Sequence, residues 1–396
     1  MIVAQVIFWI CVAAILYSYL FYPLLIKLLS IIFNSKKRTP VFLPNDVNLP
    51  TIHILVAVFN EEKVLPRKIL STANTSYPYY KVHVYFGSDG STDGSNALLE
   101  AASKQYPNIK YTLFPPKTGK IGIINQLHAS IRNLKPDDIL ILTDANVFFE
   151  PDTIHHLAKH FADHQMGLVG ASIINEGTKQ DGIFKQEKTY ISLENKIKYW
   201  EGTALGHIMG AFGACYAVKE QFFTPAPNNF RSDDFYVSMK VLQNGGKSYV
   251  EPQAICYENS SDELPVEFQR KVRINMGNYQ NLGVFWKMLL PPVSKVAFTF
   301  WSHKMLRWLG PFFLIGAYIG NAILWDVNVF YSLAFLCQNI VLLLVLVDVL
   351  LGRLKIQVAV LRYLSYFYQM NLALLIGWFK SMKGVQQDAW QPTKRN

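Results

Sequence analysis

Between residues 51 and 144 the chain repeats one pattern, a short apolar run, a polar break, then a stretch of helical periodicity. "TIHILVAVF" (51–59), "KVHVYFGSD" (81–89), "IKYTLF" (109–114) and "DILILTD" (138–144) read as strands. "EKVLPRKILSTANT", "DGSNALLEAASKQY" and "KIGIINQLHASIRN" between them read as helices. Strands alternating with helices predict βαβ units and an α/β fold, with a doubly wound, mainly parallel sheet. Ligands of such sheets sit outside the carboxyl ends of the strands. Three of those ends are polar here: Phe59-Asn60-Glu61, Ser88-Asp89-Gly90 and Thr143-Asp144-Ala145-Asn146. A carboxylate buried without a partner is costly, so Asp144, set inside "ILILTDANVFF", belongs at an open strand end facing a site.

The rest of the chain does not share this pattern. Over 396 residues, 51% are hydrophobic and only 17% charged, which is unlike an ordinary soluble chain. Residues 2–26 carry no charge and are long enough for a bilayer, which takes about 20 apolar residues. Lys27, Lys36, Lys37 and Arg38 come after this run instead of before it, which favours a retained span over a cleaved signal and places the next region of the chain in the cytoplasm. Further apolar runs occupy 308–325, 329–351 and 363–379. The last is shorter and more polar, and it is expected not to cross fully, because that leaves the basic tail (Lys380, Lys383, Lys394, Arg395) cytoplasmic. The expected organisation is a membrane helix in 1–33, a linker in 34–50, a cytoplasmic domain in 51–281, interfacial helices in 282–307, membrane helices in 308–380 and a tail in 381–396. Beside membrane spans, the net charge of +10 is explained by anionic headgroups and a diphosphate ligand rather than by nucleic acid. The four cysteines are scattered and suggest neither a disulfide framework nor zinc. "HHLAKHFADH" (155–164) spaces histidines at i, i+4 but lacks a further ligand, and reads as a solvated helix.

Six motifs occur in order: "VAVFNEE" (56–62), Lys120 with Asn125, "TDAN" (143–146), "MGAFGACYAVKE" (209–220), "RSDDF" (231–235) and "EFQRKVRI" (267–274). With "FGSDGSTDGS" (86–95), this series resembles the family 2 glycosyltransferases of GT-A type, in particular the membrane-embedded cellulose-, hyaluronan- and poly-N-acetylglucosamine-synthase-like enzymes. The resemblance implies a nucleotide-sugar donor, with Ala57, Asn60, Glu61 and Asp89 around base and ribose. A carboxylate there can accept from uracil N3–H, which suits a UDP-sugar. It also implies that Lys120, Asp144, Arg270 and Arg273 serve the diphosphate. Asp144 and Asn146 stand at the two ends of the family's Asp-x-Asp motif for Mg²⁺ or Mn²⁺. Here the second carboxylate is an amide, one negative charge fewer. Asp234 matches the general base that deprotonates the acceptor hydroxyl, and Asp233 stands beside it. Read without the family, Asp233 and Asp234 are an acidic pair opening the helix "FYVSMKVLQNGG". In "EFQRKVRI" Arg270 replaces the family's Gln and Ile274 its Trp, a departure from the polymer-making members. The implied activity is transfer of a sugar to a glycan or lipid-linked acceptor. A polyprenyl phosphate or a membrane lipid is the alternative acceptor, and a transporter or non-catalytic scaffold is the alternative of another class.

Overall fold

A computed structural model describes residues 1–34, 41–44, 46–176, 184–259, 264–354, 356 and 358–383. Lys36, Lys37, Arg38, Lys394 and Arg395, on which the expected orientation partly depends, lie outside the described residues. The described residues divide into two compact units, one within 29–176 and 191–259, the other within 1–28, 184–190 and 264–383.

The first unit is built on an eight-stranded sheet. Its strands are β1 (Ile52–Val58), β2 (Val82–Asp89), β3 (Ile109–Phe114), β4 (Ile139–Asp144), β5 (Val147–Phe149), β6 (Met166–Glu176), β7 (Cys215–Lys219) and β8 (Lys247–Asn259), in the order β3-β2-β1-β4-β7-β6-β8-β5. The strands β3, β2, β1 and β4 are parallel, joined by the helices Leu65–Ala73, Ser95–Gln105 and Gly119–Ser130. Every residue of β1 is buried, as expected of a central strand covered on both faces. Beyond β4 the expectation of a mainly parallel sheet needs correction. There β7 runs antiparallel to both β4 and β6, β8 is parallel to β6, and β5 is antiparallel to β8. For β5 the physical reason is connection length. A parallel return needs a crossover, whereas β5 leaves β4 after only Ala145 and Asn146.

In the same unit "HHLAKHFADH" is not the solvated helix expected. It forms the short helix Thr153–Ala158 and a 3₁₀ turn Lys159–Ala162. His160 is buried with its Nε2 2.5 Å from Glu251 Oε2, and Lys159 Nζ lies 2.9 Å from the same oxygen. An ion-paired cluster satisfies these groups inside, where periodicity alone would leave them in water.

The other unit is helical. Its residues 2–28 belong to one helical run that continues to Asn34, the helices Ile2–Leu16 and Tyr22–Asn34 joined by a π-helical turn at Tyr17–Phe21. Gly316 and Gly320 on the helix Gly310–Leu324 let it approach this run closely: a Cβ on Gly316 would lie 2.8 Å from Cys11 Sγ, and one on Gly320 3.3 Å from the Ala4 carbonyl oxygen. Small residues four apart are what close helix packing requires. Among the described residues two helical stretches, Ile2–Phe33 and Val329–Arg353, are long and apolar enough to cross a membrane. Gly310–Leu324 is apolar but shorter, and residues 363–379 fall within the helix Ala359–Met382. The expected domain boundary at 281/282 falls inside a single helix, Leu264–Phe285.

Candidate active site

Strand register brings the first site residues level. Ala57 is paired with Gly87 on one side and with Asp144 on the other, so three neighbouring strands end together. The loops beyond these ends are laced to each other. Asn60, at φ +52°, accepts from Thr92 N–H through its side-chain oxygen (2.8 Å) and donates its own N–H to Ser91 Oγ (3.1 Å). Glu61 N–H donates to Ser95 Oγ, and Glu62 N–H to Asp93 Oδ2. Asn tolerates this left-handed conformation better than most residues. The result is a rigid rim on which Asn60 and Glu61 are fixed.

Asp89 is buried, and its two oxygens accept the backbone N–H groups of Thr118 (2.8 Å) and Gly119 (3.1 Å). It therefore caps the helix Gly119–Ser130 from the neighbouring strand, satisfying donors that a helix start leaves orphaned. That helix carries Lys120 in its first turn, and Lys120 Nζ lies 2.7 Å from Asp144 Oδ1. Asn125, on the same helix, donates to the Ala226 carbonyl oxygen and to Asn228 Oδ1. Burial alone would lower the pKa of Lys120, but Asp144, Asp233 and Asp234 outweigh it and hold the ammonium charged. Lys120 thus faces three carboxylates, and Lys198 also acts on Asp234.

Asp233 and Asp234 open the helix Asp233–Gln243. Ser238 Oγ accepts the Ala211 N–H (3.0 Å) and donates to the Asp234 carbonyl oxygen (2.7 Å), which ties this helix to the loop before β7. In that loop Gly210 has φ +82°, and a Cβ on Gly213 would come within 3.1 Å of Asp234 Oδ2. In "MGAFGA" Gly213 leaves room for the Asp234 carboxylate, while Gly210 takes the left-handed backbone and leaves room for the Phe235 ring. Burial and then the neighbouring Asp233 push the Asp234 carboxyl up to about 6, against the pull of Lys120.

The structure thus brings together Ala57, Lys120, Asp144, Asp233 and Asp234, with Asn146 two residues beyond Asp144. Asn60, Glu61 and Asp89 stand on the adjoining loops. Arg270 and Arg273 lie on the helix Leu264–Phe285, in the helical unit. Sequence reasoning missed Tyr216, whose buried hydroxyl has no hydrogen-bond partner among the described residues and whose phenol is raised well above its usual pKa by burial and by Asp233, Asp234 and Asp144. Lys198, with its Nζ 3.5 Å over the Phe212 ring, was missed as well. A lysine three residues from a glutamate on an amphipathic helix gives no signal of burial.

The sequence profile of the family described as glycosyl transferase family 2 matches residues 53–218. This chain carries a family 2 glycosyltransferase domain. A beta-monoglucosyldiacylglycerol synthase of Nostoc sp. is 28% identical over 176 residues, 44% of this chain and 36% of the relative. The chain spans only about a third of that relative's length. The probable glycosyltransferase YdaM of Bacillus subtilis is 22% identical over 316 residues, 75% of this chain and 71% of the relative. Among solved structures, the mannosyltransferase of Pyrobaculum calidifontis in complex with GDP-Man and Mn²⁺ superposes with a TM-score of 0.71 at 18% identity, over 95% of this chain and 99% of that one. The two share the GT-A-like mixed-sheet fold.

Proposed function

We propose that the chain is a membrane-bound inverting glycosyltransferase that moves a sugar from a nucleotide diphosphate donor, a UDP-sugar, to a hydroxyl of a glycan or lipid-linked acceptor in cell-surface polysaccharide synthesis. The observation that carries this reading is the cluster at the strand ends, where Lys120 pairs with Asp144 and also feels Asp233 and Asp234. Asp234 takes the proton of the acceptor hydroxyl as the acceptor oxygen bonds to the anomeric carbon. The bond from that carbon to the diphosphate oxygen breaks, and the nucleoside diphosphate leaves with the electron pair. Attack opposite the leaving group inverts the anomeric centre. Lys120, preset by Asp89 at the helix start, meets the charge that develops on the diphosphate. Arg270 and Arg273 are assigned to the diphosphate by the family resemblance alone.

Asp144 and Asn146 offer a carboxylate and an amide oxygen, hard donors that fit Mg²⁺ or Mn²⁺. Among the described residues no group of three His, Cys, Asp or Glu gathers to hold a metal, so diphosphate oxygens would complete the shell. When bound, such an ion neutralises charge at the diphosphate. The apolar helices support a membrane location, and we place the sheet unit on the cytoplasmic side of the inner membrane from the basic residues that follow the first apolar run. A second reading, transfer to a membrane lipid, is favoured by the similarity to the glucosyldiacylglycerol synthase.

The test is release of nucleoside diphosphate from a panel of UDP-sugars by detergent-purified protein, with products read by mass spectrometry. Asp234→Asn is expected to lower release by about 10²–10⁴-fold. Wild-type rates in that variant would overturn the reading.

A further inference from the structure

The helix Leu65–Ala73 buries a lysine. Lys68 has no exposed surface, and removing an ammonium from water is costly unless it is compensated. A methionine would fill the same volume without that cost. The compensation is specific: Nζ donates to Thr143 Oγ1 at 3.0 Å and to the Val147 carbonyl oxygen at 2.6 Å, and it lies 4.2 Å from the centre of the Phe149 ring. Thr143 and Val147 are the residues on either side of Asp144-Ala145-Asn146. Across this turn the chain passes from β4, paired with β1 and β7, to β5, paired with β8. Among the described residues no strand ladder therefore joins the two flanks. Thr143 and Cys215 pair across β4 and β7, and Asp144 N–H reaches the Ala214 carbonyl oxygen, which fixes only the β4 side.

We propose that Lys68 is a positioning residue: its ammonium cross-braces Thr143 to Val147 and so sets how Asp144 and Asn146 are presented to a divalent cation and the donor diphosphate. This role rests on the proposed glycosyl transfer. An ammonium serves here because its donors reach both flanks at once while its charge is balanced by oxygens and a ring face. Asp144 and Asn146 then need not find their geometry on binding, which matters more when the motif has only one carboxylate.

The experiment is calorimetric binding of UDP and of GDP to the full detergent-purified chain across a Mn²⁺ titration, with melting temperature recorded in parallel. In Lys68→Met the Mn²⁺ concentration for half-maximal nucleotide binding is expected to rise by about tenfold or more, the scale typical of lost outer-shell partners of a metal site. Its melting temperature is expected to fall by only about 3–8 °C. Thr143→Val removes one end of the brace without a volume change and should shift the same midpoint in the same direction. If Lys68→Met does not fold, Thr143→Val decides. The double variant should add little to the larger single effect. A merely structural lysine would lower the melting temperature or the binding amplitude and leave the Mn²⁺ midpoint where it was, and that result overturns the proposal while the functional reading stands. A wild-type chain that binds neither nucleotide with Mn²⁺ overturns both.

Discussion

At the scale of single residues, the site works by placing charges that oppose one another. Asp234 is held at about 6, above the ordinary carboxylate range, by burial and by Asp233. As the proposed general base, Asp234 must be deprotonated, so turnover is expected to fall below pH 6 along a one-proton limb. Asp234→Asn should lack both the limb and the activity. The stability consequence has the opposite sign. Between about pH 4 and 6 the folded chain binds a proton at Asp234 that the unfolded chain does not, so this group contributes stability as pH falls through that window and loses it as pH rises. Asp144 is the motif's only carboxylate and the partner of Lys120. Asp144→Asn is expected to cost about a hundredfold in turnover, because it removes the anionic ligand proposed for the metal and also the ion-pair partner of Lys120. Asn146→Asp should lower the Mn²⁺ needed for half-maximal activity. Both are read from initial rates across a metal titration, and near-normal turnover of Asp144→Asn would remove this motif from metal binding.

At the scale of elements, the site depends on how closely the helix Gly119–Ser130 lies on β2. Gly87 makes this possible: a Cβ there would sit 2.3 Å from Ile123 Cγ2 and 2.9 Å from Phe114 Cε2. Gly87 pairs with Ala57 across the strands, so the contact lies directly beneath the site. Gly87→Ala must push the helix outward, at a cost of about 1–3 kcal/mol for overpacking. It also carries Lys120 away from Asp144 and Gly119 away from the Asp89 cap. The expected result is a lower melting temperature together with a drop in turnover larger than the stability loss explains. Denaturation and initial rates on the same preparation test this.

At the scale of the whole molecule, the apolar helices leave most of their surface uncovered by the rest of the described chain. Only 22% of the best window in Ile2–Phe33 and 6% of that in Val329–Arg353 is buried inside the chain. Side chains such as Ile10, Leu24, Leu343 and Leu346 stand more than half exposed. Hydrocarbon covers such faces without the cost that water imposes. The membrane reading with a cytoplasmic tail predicts that a Ser381→Cys variant, made in a Cys337→Ser background, is not labelled by an impermeant thiol reagent in intact cells and is labelled after lysis. Labelling from outside would place the end of the helix Ala359–Met382 across the membrane.

The sequence by itself determined what local periodicity encodes. The strands β1 to β4, the helices between them, the polar strand ends and the long charge-free runs all arise from patterns within about ten residues of each other. The meeting of Asp144, Lys120 and Asp234 was foreseen only as far as an ordered set of motifs resembled a family. The mixed half of the sheet was not legible, because β5 comes directly after β4 in the chain yet pairs with β8 more than a hundred positions away. The cap that Asp89 places on Thr118 and Gly119 and the brace that Lys68 makes to Thr143, 75 residues distant, were equally hidden. Residue type fixes that a lysine can donate and that a carboxylate can accept. Whether the charge lies in water or under a site depends on which distant oxygens surround it, and only the tertiary structure decides that.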